Sequence, residues 1–248
     1  MPKLGGLKLY GLLKNEFQKK CLKMGRDKLF ELLRHEQMLI IKKKKYVKTT
    51  DSRHWMRKYP NLIKHLEIIR PEQVWVADIT YIETKQGFNY LHLVTDAYSK
   101  QIMGYQLSED MSATATVKAL RMAIGKRVYS TATLIHHSDR GLQYCSTAYT
   151  KLLQENNIMI SMTEESDPYE NAIAERVNGI LKQEFSLDET FENTIQAQKH
   201  IDQSIWIYNC KRPHLSCHLL TPIQMHAQKR LKIKKWNKKP QTFALSEV

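Results

Sequence analysis

The feature that most constrains the fold is a change of period at Pro71. Before it, apolar residues recur at helical spacing. Leu9, Leu12, Leu13 and Phe17 form one run, and Leu29, Phe30, Leu32 and Leu33 form a second, with Gly25 at the break. After it come three segments rich in β-branched and aromatic residues, over 74–82, 88–96 and 101–107, separated by Lys85-Gln86-Gly87 and Ala97-Tyr98-Ser99. Gaps this short leave no room for a crossover, so the three strands form an antiparallel meander. A helix over 112–128, a strand over 133–136, a helix over 147–156 and a strand over 158–162 then extend the sheet in parallel. A polar loop over 163–169 leads to two further helices, over 171–185 and 190–208.

The charge is unevenly spread. Residues 1–70 carry 19 Lys and Arg against 6 Asp and Glu, residues 71–228 carry 13 against 18, and residues 229–248 carry 7 against 1. Two basic ends flank an acidic middle. Basic segments suit a polyanion, because each neutralised phosphate adds affinity, and an acidic centre suits the divalent cations that accompany one. This division suggests a basic helical region over 1–45, helix-turn-helix-like and ending in the run Lys42, Lys43, Lys44 and Lys45. A linker over 46–70, a core over 71–228 and a basic tail over 229–248 follow. Trp55 and Tyr59 are expected to anchor the linker by packing. No stretch approaches 18 consecutive apolar residues, and the first ten residues lack the apolar core of a signal peptide, which disfavours membrane and secretory readings. Four cysteines without a CxxC pair fit free thiols in a reducing cytoplasm.

Three acidic residues stand where packing would not place them. Asp78 interrupts an apolar strand, where a charge costs several kcal/mol unless paired or metal-bound. Asp139 follows the strand over 133–136, at the end of a parallel strand where sites gather. Glu175 falls inside the helix NAIAERVNGILKQEF, with Asn178, Gly179 and Lys182 on its face. A glycine at the middle of a helix costs about 1 kcal/mol relative to alanine, and Gly179 there fits a helix that something large approaches closely.

Between Asp78 and Asp139 lie 60 residues, and between Asp139 and Glu175 lie 35. That spacing, with Lys182 seven beyond the glutamate, resembles the DDE catalytic core of retroviral-type integrases and bacterial insertion-sequence transposases. The segments WVADITYI, YLHLVTDAYSKQIMGY, HHSDRGLQY, NAIAERVNGILKQEF and YNCKRPHLSCHLLTP resemble successive blocks of the second-reading-frame (OrfB-type) transposase product. The likeness runs from about Arg26 to Gln228. It departs in the loop MTEESDPYENA, where Glu164 and Glu165 replace basic or small residues and Glu170 replaces the usual Asp.

The resemblance implies an α/β ribonuclease H-like integrase core, a mixed five-stranded sheet with helices on both faces, preceded by a small helical basic region. It implies DNA strand cleavage at transposon ends and transfer of the freed 3′-OH, with Mg²⁺ or Mn²⁺ as cofactor. Two such ions per site stabilise the attacking and leaving oxygens. On that pattern Asp78 would bridge both ions, Asp139 would hold one and Glu175 the other. Converging carboxylates repel one another, so the metal-free site is expected to be partly protonated or disordered. Lys182 is expected at the phosphate near the scissile bond, with Arg140 and Gln143 as further DNA contacts. The partners implied are transposon-end and target DNA, further copies of the chain, and an upstream-frame helix-turn-helix protein or fusion. No membrane partner is implied, and the location is the bacterial cytoplasm, at the nucleoid. Two other readings remain open from the sequence: a metal-dependent nuclease of the same fold, and a DNA-binding remnant without catalysis. Asp96 is expected to cap the Ala97–Ser99 turn or to support the site, and His136 to pack at a strand end, with His137 beside it. Cys210, His214, Cys217 and His218 match no common structural zinc spacing and are read as a packing motif.

Overall fold

The computed structural model describes residues 3–40, 56–164, 171–229 and 231–233. In chain order these form α1 (Gly6–Lys19), α2 (Arg26–His35), β1 (Val74–Thr84), β2 (Gly87–Asp96), β3 (Ile102–Ser108), α3 (Ala113–Gly125), β4 (Leu134–Ser138), α4 (Leu142–Cys145), α5 (Thr147–Glu155), β5 (Ile158–Met162), α6 (Ala172–Glu184), α7 (Thr194–Cys210) and α8 (Pro222–His226). The sheet order is β3-β2-β1-β4-β5. β1, β2 and β3 are an antiparallel meander, and β4 and β5 join β1 in parallel. This is the mixed five-stranded sheet that the period change implies.

Element ends differ from the sequence reading for local reasons. β1 and β2 extend to a tight hairpin in which Thr84 pairs with Gly87. β4 runs on to Ser138 because that residue still pairs with Met162 of β5. α7 starts four residues late, at Thr194, since the Asn193 side chain caps it by accepting from the Gln196 N–H. The short helices α4 and α8 carry too few residues for periodicity to reveal. α8 is specified instead by a capping box of Thr221 and Gln224 with Pro222 at its first turn.

Helices cover both faces of the sheet. On one, Trp75, Ala77, Val94 and Met103 pack against Ala119, Leu120 and Ala123 of α3 and Tyr149 and Leu153 of α5. On the other, Ile82, Leu91, Leu93 and Ile102 meet Val177, Ile180 and Leu181 of α6 and Ile201, Ile205 and Tyr208 of α7. Gly104 sets how closely α3 lies on β3. A Cβ there would stand 2.0 Å from the Ala119 carbonyl oxygen and 2.8 Å from the Ala123 nitrogen, so the helix backbone rests directly on the strand.

Two sets of charges lock the periphery to this core. Glu72 accepts from the Val128 and Tyr129 N–H groups at 2.7 and 2.8 Å and lies 3.3 Å from His226 Nε2 and 3.6 Å from Arg127 Nε. Asp96 accepts from the Glu72 N–H and from the Ser99 N–H and hydroxyl, each at 2.7 Å. Glu72 and Asp96 are fully buried. In the second set, Arg212 donates to both Glu184 oxygens at 2.7 and 2.8 Å, and Lys8 reaches Glu184 Oε1 at 2.6 Å. α1 is thereby tied to the C-terminal end of α6.

The described part of the expected linker lies along β5. Met162 N–H donates to the Pro60 carbonyl, and Leu62 N–H to the Ser161 hydroxyl at 2.9 Å. Tyr59 packs against the core, as expected of it. Glu164, an unusual residue for its loop, accepts the Asn61 N–H at 2.9 Å and so helps hold this segment. Trp55, Lys42, Lys43, Lys44 and Lys45 lie outside the described residues, as do Glu165 and Glu170. Among the described residues no helix is long and apolar enough to cross a membrane.

Candidate active site

Alternation along β1 sends Ala77 to the α3 face and Asp78 the other way, where α6 crosses the strand. β1 and β4 run in parallel register, with Val74 opposite Ile135, Trp75 opposite His136 and Val76 opposite His137. Two residues further along the same register, Asp78 comes level with Asp139, the first residue beyond β4. The sheet itself thus brings these two carboxylates together where the C-terminal end of β4 meets the middle of β1.

Each is oriented by short hydrogen bonds. Asp78 Oδ1 accepts the Ile79 N–H at 2.9 Å, and Oδ2 accepts the Asn178 amide at 2.7 Å. Asp139 Oδ1 accepts the Gly141 N–H at 3.0 Å. A Cβ at Gly141 would lie 3.1 Å from that same oxygen and 2.7 Å from Gln143 Nε2, so a larger residue there would displace the ends of both side chains. Burial pushes the Asp78 carboxyl up to about 7, the neighbouring Asp139 and Glu175 charges add to the rise, and its two hydrogen bonds offset it only in part.

Glu175 stands in the first turn of α6, where the helix N-terminus favours negative charge. The residue is exposed overall, yet the protein around its carboxyl removes enough water to raise its pKa. α6 is fixed to β1 at two places. Asn171, at the helix start, does not cap the helix but donates its amide to the Ala77 carbonyl at 3.1 Å, and Asn178 bonds Asp78. The sequence places Asn178 on the Glu175 face without a partner for it, and counts Asn171 as an ordinary residue of the helix over 171–185, whereas the helix starts at Ala172. The Asp139 charge acts on Asp78 more strongly than the Glu175 charge does. Among the described residues no three acidic, His or Cys side chains converge on a single metal position.

The remaining sequence candidates occupy distinct places. Lys182 lies two turns beyond Glu175 with its ammonium 3.6 Å from the centre of the Tyr81 ring. Burial lowers its pKa, while Asp188 and Asp78 act in the opposite sense. Arg140 and Gln143 are half-buried in the turn after Asp139. An added Cβ at Gly179 would meet nothing within 4 Å among the described residues, so none of them requires that glycine. His136 is buried and bonded to the Tyr149 hydroxyl at 2.8 Å, and burial pushes its pKa down to about 3. His137 contacts the Ser161 hydroxyl at 2.8 Å. Asp96 caps its turn and belongs to the buried charge cluster with His226. The His/Cys group disperses: Cys217 faces the Ser99 carbonyl, His214 meets Tyr208 edge-on, and His218 bonds the Lys232 carbonyl.

Comparison with known proteins gives the same architecture a family. The integrase core domain profile matches residues 69–168, and a second integrase core profile matches residues 156–222. A 31 kDa protein of insertion element IS600 from Shigella sonnei is 36% identical over 204 residues, covering 82% of this chain and 75% of its own. The chain belongs to the insertion-sequence transposase family. The transposase for insertion sequence element IS629, also from Shigella sonnei, is 32% identical over 209 residues, covering 83% of this transposase and 69% of its own length. Among solved structures, the HTLV-2 integrase catalytic core domain in complex with magnesium matches with a TM-score of 0.51 at 21% identity, covering 63% of this transposase and 97% of that chain. That likeness is one of fold. The transposase therefore carries an integrase core of ribonuclease H-like α/β architecture, and its class of activity is that of a DDE-type polynucleotidyl transferase acting in DNA transposition and integration.

Proposed function

We propose that Asp78, Asp139 and Glu175 form the site at which this transposase cuts DNA at transposon ends and joins the freed 3′-OH to a new phosphodiester. The observation that carries the assignment is Asp78, a carboxylate held in an otherwise apolar strand, level with Asp139 and destabilised by it. A pair of hard oxygen donors in that state fits Mg²⁺ or Mn²⁺, which bind few protein carboxylates and keep several waters. Asp78, Asp139 and Glu175 would hold such cations between them, two ions per site, each ion taking only some of the three carboxylates. When bound, such cations stabilise charge on the attacking and leaving oxygens of an in-line displacement.

The chain's own residues supply orientation. Asn178 and the Ile79 N–H fix the rotamer of Asp78, the Gly141 N–H fixes Asp139, and Asn171 holds the start of the helix bearing Glu175. Lys182, on the same face of that helix, attracts the phosphate adjoining the cut, and Arg140 and Gln143 line the turn beside it. Lys42, Lys43, Lys44 and Lys45 add sequence-independent attraction for the DNA backbone. The working assembly is several copies on paired DNA ends in the bacterial cytoplasm, at the nucleoid, aided by an upstream-frame helix-turn-helix protein or fusion.

Cleavage and joining of a labelled DNA bearing the ends of its insertion sequence, with Mg²⁺ or Mn²⁺, test this reading. Asp78→Asn, Asp139→Asn and Glu175→Gln should each abolish both products while binding to the same DNA persists. Activity retained by any of them would remove that residue from the site. Cleavage never followed by joining would reduce the activity to that of a nuclease.

A further inference from the structure

Gly179 is the residue of α6 that neither packing nor the chemistry proposed above explains. At about 100° per residue, its place on the helix surface falls between those of Glu175 and Arg176, roughly 40° from the first and roughly 60° from the second. Glu175, Arg176 and Gln183 are exposed, with Gly179 half-buried among them. A Cβ at Gly179 would meet nothing within 4 Å among the described residues, so along this strip the helix backbone is open to close approach. Asn178 and Lys182 lie on the other flank of Glu175, where Asn178 bonds Asp78 and Lys182 feels its charge.

Beyond the strip the surface is positively charged. Arg176, Ile180 and Glu184 follow one another at i, i+4 and i+8, so Arg176 stands two turns before the carboxylate that Arg212 and Lys8 share. The Arg212 and Lys8 side chains are 1% and 12% exposed. Burial lowers the Lys8 pKa first of all, Arg212 and Arg176 add to the fall, and the bond to Glu184 offsets it only in part. The charges acting most strongly on buried His214 are Arg212, Lys100, Lys8 and Arg176, all positive, and with burial they hold it far below the usual histidine range. Positive charge is thus in surplus where α6 meets α1 and the segment after α7, and Arg176 is its exposed edge.

We propose that Arg176, backed by Lys8, binds a phosphate of the DNA backbone, and that Gly179 lets that backbone cross α6 between Glu175 and Arg176. The proposal rests on the function proposed above and deepens it, because it adds a phosphate contact on the flank of Glu175 opposite Lys182. A guanidinium suits a phosphate by its bidentate geometry, and a backbone contact fixes register without reading bases. An acidic segment of a second copy is the competing occupant. DNA, however, has to lie against Glu175 during the reaction, and the residue next to Glu175 meets whatever lies there.

The test measures binding of the full chain, with Glu175→Gln to leave the DNA uncut, to a duplex bearing the terminal sequence of its insertion sequence and to an unrelated duplex. Adding Arg176→Gln should reduce the slope of log affinity against log salt by about one. It should weaken both duplexes alike, about tenfold at about 0.1 M salt. Gly179→Leu, which fills the strip, should also weaken both, and neither change should lower the unfolding temperature. Replacing single phosphates by neutral methylphosphonates should reveal one phosphate whose loss weakens the parent but not Arg176→Gln, and a different one for Lys182→Gln. An unchanged salt slope in Arg176→Gln would overturn the site, as would Gly179→Leu binding as tightly as the parent. An unchanged slope with altered self-association in the absence of DNA would assign the surface to a second copy and overturn it equally. Failure of the chain with Glu175 intact to cleave the labelled duplex would defeat the proposed function and leave the phosphate contact standing.

Discussion

Two carboxylates stand close together in the chain, Glu72 fully buried just before β1 and Asp78 half-buried within it, and their surroundings treat them in opposite ways. Burial by itself would raise the Glu72 pKa, but the bond to His226 and the Val128 and Tyr129 N–H groups bring it below the usual range. Asp78 has one amide from Asn178 and its neighbouring N–H to set against burial and two like charges, and its pKa rises to about 7. The first cluster is compensated from within the chain, which suits a structural clasp joining the start of β1 to the α3–β4 connection and to α8. The second draws little compensation from the chain, so a cation from solution gains most by binding there. Glu184 follows the first pattern: against the cost of burial, its bonds to Arg212 and Lys8 lower its pKa, and α1 is held to α6.

The largest expected effect breaks the compensated side. Glu72→Gln leaves Arg127 without its buried anion and His226 with Asp96 alone, and should cost about 3–5 kcal/mol of stability, read as a lowered midpoint in chemical denaturation. A loss below about 1 kcal/mol would mean that the cluster is not the clasp described. The same cluster sets a pH window. Burial disfavours charged His226, but Asp96 and Glu72 outweigh that and raise its pKa from 6.5 to about 9. Its stabilisation is therefore complete below the unfolded value of 6.5 and is lost as pH rises through about 9. The lowered Glu72 contributes stability above its unfolded value of 4.5, lost as pH falls through its folded value. Wild-type unfolding temperature should thus be highest between these limits and fall toward pH 9, and His226→Gln should flatten the alkaline fall. An unchanged alkaline slope would separate His226 from the clasp.

The smallest effect has the opposite sign. In metal-free protein at pH 8, Asp78→Asn removes a repelled carboxylate while keeping a side chain that fits the site, and should stabilise the fold by on the order of 1 kcal/mol. A substitution that stabilises the protein and abolishes its reaction is the mark of a site held ready for an external ligand. Destabilisation of several kcal/mol would instead put Asp78 among the structural charges.

Most of the sheet was legible because its information is local. The switch to alternating β-branched and aromatic residues after Pro71 marks strands, and the gap lengths decide which pairs are antiparallel. Asp78 was legible as a charge inside an apolar strand, and Asp139 and Glu175 by spacing. The clasp was not, since Glu72, Asp96, Arg127 and His226 are distant in sequence and share no period. Their proximity is made by the finished fold. The same is true of the bonds from Asn178 to Asp78 and from Asn171 to Ala77, whose donors read in the sequence as ordinary residues of one helix. α4, with four residues, is shorter than any periodic signal.

The contrast between the two clusters is tested most directly by thermal unfolding of wild type, Asp78→Asn and His226→Gln with and without saturating Mg²⁺. A ligand that binds only the folded state raises its stability in proportion to the logarithm of occupancy. The account predicts that Mg²⁺ raises the unfolding temperature of wild type and of His226→Gln by similar amounts and that of Asp78→Asn little or not at all. An equal Mg²⁺ shift in all three proteins would contradict it, because the cation would then be binding somewhere other than the site built around Asp78.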